Sequence, residues 1–394
     1  MVKIIRSIKE LQKIESEWNS LAESSPNENV FMSFDWNFLW IKYFLRRKDR
    51  LFIIAVYNDA NENELEALAP FFLKRFCLFF KSLMFVSGNY SDYLNIIVKK
   101  GADKERIYSE IFGEIIKNKG ADMIYLRQVS AELLNGVKKN VSEHFGLKLN
   151  YKESGGCYYF NLPDSIDAYM MRFNSKQRYN ILSRVEKAEK NNIRFIGSSD
   201  FDKSLFKEYL NYFFGLHQKR WNDKGKRGVF YSKKIKFFFT DLFTVLYNKN
   251  KIALSFLAFD KEAGGGDGSG GGGNKKIISS AVCFDSGNKR QVYLPGFDPE
   301  YSNFHPGIVL TYYIIKEAIG CKFEEFDFLK GGEEYKQRFG AVKRENYKLY
   351  SYKNKIIYYI FKFSLFIENE IKEKLKDLAF KIKRFLIKRF LKIV

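Results

Sequence analysis

The chain has 394 residues, of which 46% are hydrophobic and 18% aromatic, and this is enough for two domains that each bury a core. Its 67 basic and 46 acidic residues give a net charge of +21. Such a charge favours an anionic partner: nucleic acid, anionic lipid, a polyanionic glycan or a phosphorylated cofactor. A generally basic proteome is the alternative explanation.

Four scattered cysteines and only three histidines disfavour a disulfide framework and a metal site built from these residue types. The amino-terminal segment carries charges inside its apolar run, unlike a signal peptide. No uninterrupted apolar run approaches the roughly 20 residues that a transmembrane helix needs. We therefore predict a cytoplasmic protein without a bound metal.

Helical and strand patterns alternate over residues 1–150, which predicts one α/β domain. Ser33 is placed to cap a helix that ends near Phe44. A strand at 51–57 precedes a polar turn and a partner strand at 67–73. Pro70 inside this partner strand indicates a sheet edge or a bulge, because proline cannot donate a ladder hydrogen bond.

A second domain is predicted over residues 151–352. A basic helix occupies about 175–190, and two strands at 252–259 and 276–284 form a hairpin around a Gly-rich loop, 263–274. This loop lacks the spacing of a phosphate-binding P-loop and lies in a hairpin rather than between a strand and a helix. We interpret it as a flexible connection.

The tail, residues 353–394, is basic, helical in propensity and free of glycine and proline. From Ile371 onward it contains nine Lys or Arg residues and two acidic residues, a net charge of +7. Apolar and basic residues interleave, which predicts an amphipathic helix on an anionic membrane surface. Packing onto the body of the protein or onto a partner is the alternative.

The segment 289–339 is the part where we expect the function to reside. A short strand at 291–294 and a Gly-Pro turn precede His305-Pro306-Gly307, which opens a helix that ends at Gly320 in the left-handed conformation. A strand at 323–329 and a loop rich in charged groups follow. A helix amino terminus beside charged groups predicts a site where an anionic ligand meets acid and base residues.

A set of motifs in this order resembles a known family. They are Phe31-x-Ser33-x-x-Trp36, Leu68-Ala69-Pro70, Ser91-Asp92-Tyr93, the basic helix, Arg220-Trp221-x-x-x-Gly225, Tyr293-x-x-Gly296-Phe297-Asp298, Pro306-Gly307, and Asp327-Phe328-Leu329-x-Gly331-x-Glu333-x-Tyr335-Lys336. The pattern resembles the bacterial acyltransferases named after cellulose biosynthesis, the CelD/BcsL group. These belong to the GNAT superfamily and are close to the FemAB peptidyltransferases. The resemblance covers roughly residues 1–352, without the Gly-rich loop and the tail.

The resemblance implies an α/β (α+β) fold of two tandem GNAT-like domains, 1–150 and 151–352, with mixed, largely antiparallel sheets and a basic helical tail. It also implies acetyl-CoA or another acyl-CoA as co-substrate. Pro306, Gly307 and Ile308 are the best match to the family's pyrophosphate-binding loop, although the chain keeps only one of that loop's glycines.

Direct attack on a thioester needs a base, an oxyanion donor and an acid for the leaving thiolate. Asp327 is our candidate for the base or for orienting the acceptor, with a structural salt bridge as the alternative. Glu333 is a second candidate base, and His217 is a candidate base at the acceptor site. Tyr335 is the candidate acid.

Five further residues are predicted to bind substrate: Arg220, Trp221, Lys336, Tyr293 and Arg178. Together these features predict transfer of an acyl group from acyl-CoA to an amine or hydroxyl of a sugar or cell-surface glycan precursor, either sugar-nucleotide or lipid-linked. The protein would work in the cytoplasm, peripherally on the inner membrane face. Two alternatives stay open: a FemAB-like peptidyltransferase that uses aminoacyl-tRNA, and a non-catalytic GNAT-fold scaffold or binding protein.

Overall fold

The structure is a computed structural model, and it describes residues 1–58, 64–76, 80–118, 120–140, 148–200, 202–260, 275–331, 334–352 and 354–390. The predicted Gly-rich loop and the candidate base Glu333 lie outside these ranges.

The elements up to residue 161 are, in chain order, β1 Val2–Ile5, α1 Ile8–Lys13, α2 Glu15–Ser24, α3 Phe34–Phe44, β2 Arg50–Tyr57, β3 Leu65–Arg75, β4 Lys81–Phe85, β5 Ile97–Val98, α4 Lys104–Lys117, β6 Met123–Val129, α5 Ala131–Val137 and β7 Leu149–Asn161. The later elements are α6 Ile166–Met171, α7 Ser175–Lys190, β8 Ile193–Ile196, α8 Phe206–Asp223, α9 Lys233–Asn248, β9 Ile252–Asp260, β10 Lys275–Ser286, β11 Lys289–Phe297, α10 Pro306–Gly320, β12 Glu325–Lys330, α11 Glu334–Arg338, β13 Val342–Tyr352, α12 Lys355–Phe366 and α13 Lys372–Phe390. A π-helical turn, Ile367–Ile371, joins α12 to α13.

The chain divides into two compact units. Unit 1 comprises Met1–Cys157 and Arg344–Val394, and unit 2 comprises Tyr158–Lys343. This division differs from the boundaries predicted from the sequence, because most of β13 and the whole tail group with the first unit rather than following the second. The sequence could not show this, since β13 pairs with a strand more than 200 positions earlier, β6.

In unit 1 the strand order is β1-β2-β3-β4-β6-β13, and each pair is antiparallel except β4 with β6. Ser33 caps α3 as predicted, accepting a hydrogen bond from the Trp36 backbone N–H. Pro70 lies inside a central strand rather than at an edge. It falls between the residues of β3 that pair with β5 and those that pair with β4.

Helix α12 packs against the rest of unit 1 through Ile357 and Phe361. The Phe361 ring meets the rings of Phe76 and Tyr125 edge-on, with centroids 5.1 and 5.0 Å away. Glu368, in the π turn, extends this attachment through Lys74 and Arg46, with shortest N–O distances of 2.5 and 3.7 Å. The beginning of the tail is therefore fastened to unit 1.

In unit 2 the strand order is β12-β11-β10-β9-β8, with a parallel pair of β11 and β12 and antiparallel pairs elsewhere. The hairpin of β9 and β10 is confirmed. Helix α10 buries Val309, Leu310, Ile314 and Ile315 with apolar residues of β10, β11 and β12. On β11, Val292 belongs to this core, whereas the next residue, Tyr293, contacts rings of α9 and β10. Successive side chains of a strand point to opposite faces of the sheet.

Helix α10 begins at Pro306, as predicted, but its end differs from the prediction. Gly320 is the last helical residue, Cys321 is the C-cap with φ −79°, and Lys322 adopts the left-handed φ of 63°.

Candidate functional site

A cavity of about 250 Å³ lies in unit 2 at the start of α10. Its walls come from β10, β11, α10 and its approach, α8 and α11. Most of the lining is apolar, and the lining residues are Arg220, Ser279, Ala281, Val292, Pro295, Gly296, Phe297, Ser302, His305, Pro306, Gly307, Ile308, Leu310, Thr311, Ile314 and Tyr335. An apolar cavity with a few convergent polar groups is typical of a ligand site.

The cavity lies beside a break in the strand pairing of the sheet. Strands β11 and β12 run parallel, and the last residue pair between them is Gln291 with Asp327. Beyond that pair, β11 continues to Phe297 through Leu294, whose φ is +50°. On the other side, the register of β10 against β11 shifts between Ser280 and Val282. The cavity therefore lies where the regular ladder on both sides of β11 has become irregular.

The amino terminus of α10 contributes a second feature, a positive dipole end at the cavity wall. Its N-cap residue, His305, is in the left-handed conformation and makes no side-chain capping hydrogen bond. No acidic side chain lies in the first turn. Because helix amino termini carry unsatisfied N–H groups and a partial positive charge, this end suits an anion. Pro306, Gly307 and Ile308, predicted to bind the cofactor, all line the cavity.

Two basic residues of α7 strengthen this positive region. Burial lowers the pKa of His305, and the positive charges of Arg184 and Lys187 lower it further. Lys187 Nζ also donates a hydrogen bond of 3.1 Å to the Asn303 carbonyl. The sequence made Arg184 a candidate for phosphate contact, with a solvated basic face as the alternative, whereas Lys187 was not among the residues predicted to bind a ligand. Its place three residues after Arg184 on a basic helix was the signal, but the sequence could not show which element that helix faces.

Arg220 lies on the cavity wall and is held from two sides. Its Nη1 donates to the Pro295 carbonyl at 3.2 Å, and its guanidinium lies 5.0 Å from the centre of the Phe297 ring. Tyr335, on α11, also lines the cavity, and its ring packs edge-on against Phe328 at 5.9 Å. The structure thus brings a predicted binding residue and the predicted acid to the same cavity.

His217 and Trp221 lie one turn apart on α8 and form a pair away from the cavity lining. Trp221 Nε1 donates to His217 Nε2 at 3.1 Å, so that nitrogen is unprotonated and already engaged. Burial, and then the charge of Arg220, lowers the pKa of His217 to about 3. Because His217 is only 1% exposed and very weakly basic, the structure argues against the predicted role as acceptor-site base.

Asp327 and Lys336 are buried in unit 2 rather than at the cavity wall. Asp327 is fully buried, and its Oδ1 accepts a 2.6 Å hydrogen bond from the Leu329 backbone N–H. Lys336 is 3% exposed, and its ammonium group donates to the carbonyls of Phe328, Leu329 and Gly331 at 3.2, 3.3 and 3.5 Å. These contacts fix the end of β12. They count against Asp327 as a base and against Lys336 as a residue that binds substrate.

Two further predicted binding residues also lie elsewhere. Tyr293 is buried on the face of the sheet that packs against α9. Arg178 is half-buried on α7, where its Nη2 donates to the Phe173 carbonyl at 3.3 Å. Glu333 belongs to the residues that the structure does not describe, so its predicted role is not tested.

Comparison with known proteins adds a family signal in unit 2. Residues 175–337, less than half of the chain, match the model of the Acetyltransferase (GNAT) domain. This range contains the whole cavity lining. No curated protein matches the chain.

Three solved structures are similar in fold. The crystal structure of FemX is 15% identical, with a TM-score of 0.60 over 85% of this chain and 95% of that chain. A carboxy-terminal domain (DUF2156) ascribed to a lysylphosphatidylglycerol synthetase from Agrobacterium fabrum is 9% identical, with a TM-score of 0.55 over 91% and 97%. L-PGS from Bacillus licheniformis is 11% identical, with a TM-score of 0.53 over 90% and 96%.

These findings confirm the predicted fold class: a mixed α/β protein with tandem GNAT-like units and largely antiparallel pairing. The relation to the GNAT superfamily and to a FemAB-type fold is supported by the domain match and by FemX. The narrower CelD/BcsL assignment stays a prediction.

Proposed function

We propose that this protein is a GNAT-type N- or O-acyltransferase that uses acetyl-CoA or another acyl-CoA. The acceptor would be an amine or hydroxyl of a sugar or cell-surface glycan precursor, sugar-nucleotide or lipid-linked. The observation that carries the proposal is the apolar cavity at the uncapped amino terminus of α10, inside the segment that matches the GNAT domain.

The residues present fit such a co-substrate. The amino terminus of α10, with Gly307 on the wall and Arg184 and Lys187 nearby, would hold phosphate groups. The apolar side chains of Ala281 and Leu310 would surround an acyl chain. When bound, acyl-CoA supplies an acyl group activated as a thioester.

For the transfer itself, the acceptor oxygen or nitrogen bonds to the acyl carbon while the carbon–sulfur bond breaks, and a proton passes to the leaving sulfur. Tyr335, on the cavity wall, is our candidate for the side chain that donates this proton. Arg220 can contact an anionic group of the acceptor or donor. Since His217 and Asp327 are buried and engaged, Glu333 is our remaining candidate for the base.

The second candidate function is a FemAB-like aminoacyl-tRNA-dependent peptidyltransferase. Two observations favour it: the fold similarity to FemX, and the net charge of +21, which suits the phosphates of tRNA. The same cavity would then hold an aminoacyl group.

Calorimetric titration with acetyl-CoA, longer acyl-CoAs and CoA tests the proposal. Two substitutions at opposite ends of α10 form a matched pair, Gly307→Leu and Gly320→Leu, since a Cβ at either position meets nothing within 4 Å. We expect micromolar acyl-CoA binding that Gly307→Leu weakens at least tenfold and Gly320→Leu leaves unchanged. Thermal unfolding of both variants checks that each is folded.

Absence of heat with every CoA species would overturn the acyl-CoA proposal. Aminoacylated and uncharged tRNA would then be titrated, and a preference for the aminoacylated form would support the second candidate. Equal binding of both would leave the scaffold alternative.

A further inference from the structure

Helix α12 carries apolar side chains on two sides, and only one side packs against unit 1. Ile357 lies on the packed side and is 5% exposed. On the other side, Ile356, Tyr359, Phe363 and Phe366 are 50–67% exposed. Their spacing of three or four residues places them in one row along the helix.

The row continues along α13 through Ile371, Leu375, Leu378 and Ile382, which are 41–60% exposed. The step from Phe366 to Ile371 is five residues, which would leave the row on an ordinary α-helix. The π turn Ile367–Ile371 lies at this step, and its i to i+5 hydrogen bonds bring residues five apart onto the same side. We call the two sets together the tail stripe.

The tail stripe is not needed to attach the tail. Ile357, Phe361 and the ion pairs of Glu368 already fasten α12 to unit 1. A continuous row of large exposed apolar side chains costs solubility, and such patches mark sites of protein or membrane interaction.

Charge decides between these occupants. At 100° per residue, Lys372 lies about 90° from the middle of the tail stripe on one side of α13, and Lys374 and Lys381 lie about 70° and 90° from it on the other side. Lys376 and Asp377 each lie about 130° from the middle of the stripe, toward the opposite face. All four lysines are exposed, although Lys374 also lies 3.8 Å from Glu370. Two copies of such a surface repel each other, whereas anionic lipid headgroups attract it.

We propose that the tail stripe binds the surface of a bilayer that contains anionic lipids, with α12 and α13 lying in the interface plane. Of the helices in the described part of the chain, none combines the length and the hydrophobicity needed to cross a membrane. Apolar side chains would enter the acyl boundary, and the flanking lysines would meet the headgroups. This inference does not depend on the proposed transfer reaction.

Sedimentation of the full-length protein with vesicles tests it. Vesicles of phosphatidylcholine with about 30% phosphatidylglycerol represent an anionic surface, and pure phosphatidylcholine a neutral one. We expect the protein to pellet with the anionic vesicles. Leu375→Gln with Leu378→Gln should weaken this binding at least tenfold, and each lysine-to-glutamine substitution at Lys372 or Lys381 about fivefold. Lysine-to-arginine substitutions at the same positions should have little effect.

A second measurement reports on the stripe directly. Tryptophan is placed at Leu375, inside the tail stripe, or at Asp377, about 130° around the helix from the middle of the stripe. We expect anionic vesicles to shift the Leu375→Trp emission to the blue relative to its own emission without vesicles, and to leave Asp377→Trp emission unchanged.

Three results would overturn the proposal. They are no binding of the wild-type protein to anionic vesicles, equal shifts for both tryptophan variants, and a concentration-dependent dimer that the Leu375 and Leu378 substitutions abolish. The last would identify a second copy as the occupant.

Discussion

Gly296 permits a close approach of α8 to β11. A Cβ atom at this position would lie 2.5 Å from His217 N, 2.7 Å from His217 Cα and 2.9 Å from the Leu216 carbonyl carbon. All three are backbone atoms, so they cannot rotate away. We expect Gly296→Ala to lower the free energy of unfolding by about 3 kcal/mol.

Urea unfolding measures this change, with Gly320→Ala as the control. Gly320 has open space around it and lies on a helix, so alanine there should be neutral or stabilising by up to about 1 kcal/mol. Equal stability of Gly296→Ala and wild type would contradict the packing we describe.

His217 gives a prediction about pH. Because burial and Arg220 lower its pKa to about 3, the unfolded chain, with an ordinary histidine pKa, binds more protons in acid than the folded chain. Stability should therefore fall as the pH drops from about 6.5 towards 3. His217→Gln removes this titration. In acid, the unfolding free energy of the variant should therefore fall less steeply than that of the wild type, by up to about 1.4 kcal/mol per pH unit.

Unfolding free energies of wild type and His217→Gln, measured from pH 7 to pH 4, provide the comparison, and groups common to both proteins cancel in the difference. Parallel profiles would show that His217 titrates normally in the folded protein.

Tyr335 is predicted to protonate the leaving group. If the proposed transfer occurs, Tyr335→Phe should lower kcat by about 10²-fold with little change in KM, because only the hydroxyl is lost. Unchanged kcat would assign the ring a packing role against Phe328. This measurement requires an acceptor identified first through the binding experiments.

At the scale of elements, Glu368 connects the tail to unit 1. Burial raises its pKa, but the hydrogen bond and charge of Lys74, together with the charge of Arg46, outweigh burial and lower the pKa overall. Its contribution is therefore present above about pH 4.5 and lost as the pH falls through the folded-state pKa.

We expect Glu368→Gln to raise hydrogen exchange across Lys355–Phe366 near neutral pH. The increase should be modest, because a partly exposed ion pair contributes about 1 kcal/mol or less to stability. Glu370→Gln is the matched control, since Glu370 is exposed and lies 3.8 Å from Lys374, a neighbour within the tail. Equal exchange in both variants would mean that Glu368 does not fasten α12.

At the scale of the whole molecule, the charge of +21 predicts binding to any polyanion at low salt. Affinity for uncharged tRNA should fall by about 10³-fold between 50 and 200 mM salt if six or more phosphates are contacted. Filter binding at both salt concentrations measures this loss. A preference for aminoacylated tRNA that survives high salt would not follow from charge alone, and would favour the peptidyltransferase candidate.

The sequence by itself determined the local features of the fold. Helix α10 begins at Pro306, Ser33 caps α3, β9 and β10 form a hairpin, and the tail is helical. Each rests on short-range physics: the fixed φ of proline, a hydroxyl near an N–H three residues on, and the periodicity of apolar residues. The GNAT-like fold was instead implied by the family resemblance of motifs that follow one another along the chain.

Only the tertiary structure decided which side chains reach the cavity. Val292 lines it, while its neighbour Tyr293 faces α9. Lys336 was predicted to bind substrate, but it is buried and its ammonium group donates hydrogen bonds to three backbone carbonyls. The tail's place in unit 1 is likewise non-local, through β13 and Glu368. Burial and pairing depend on residues that are distant in the chain, and no local pattern records them.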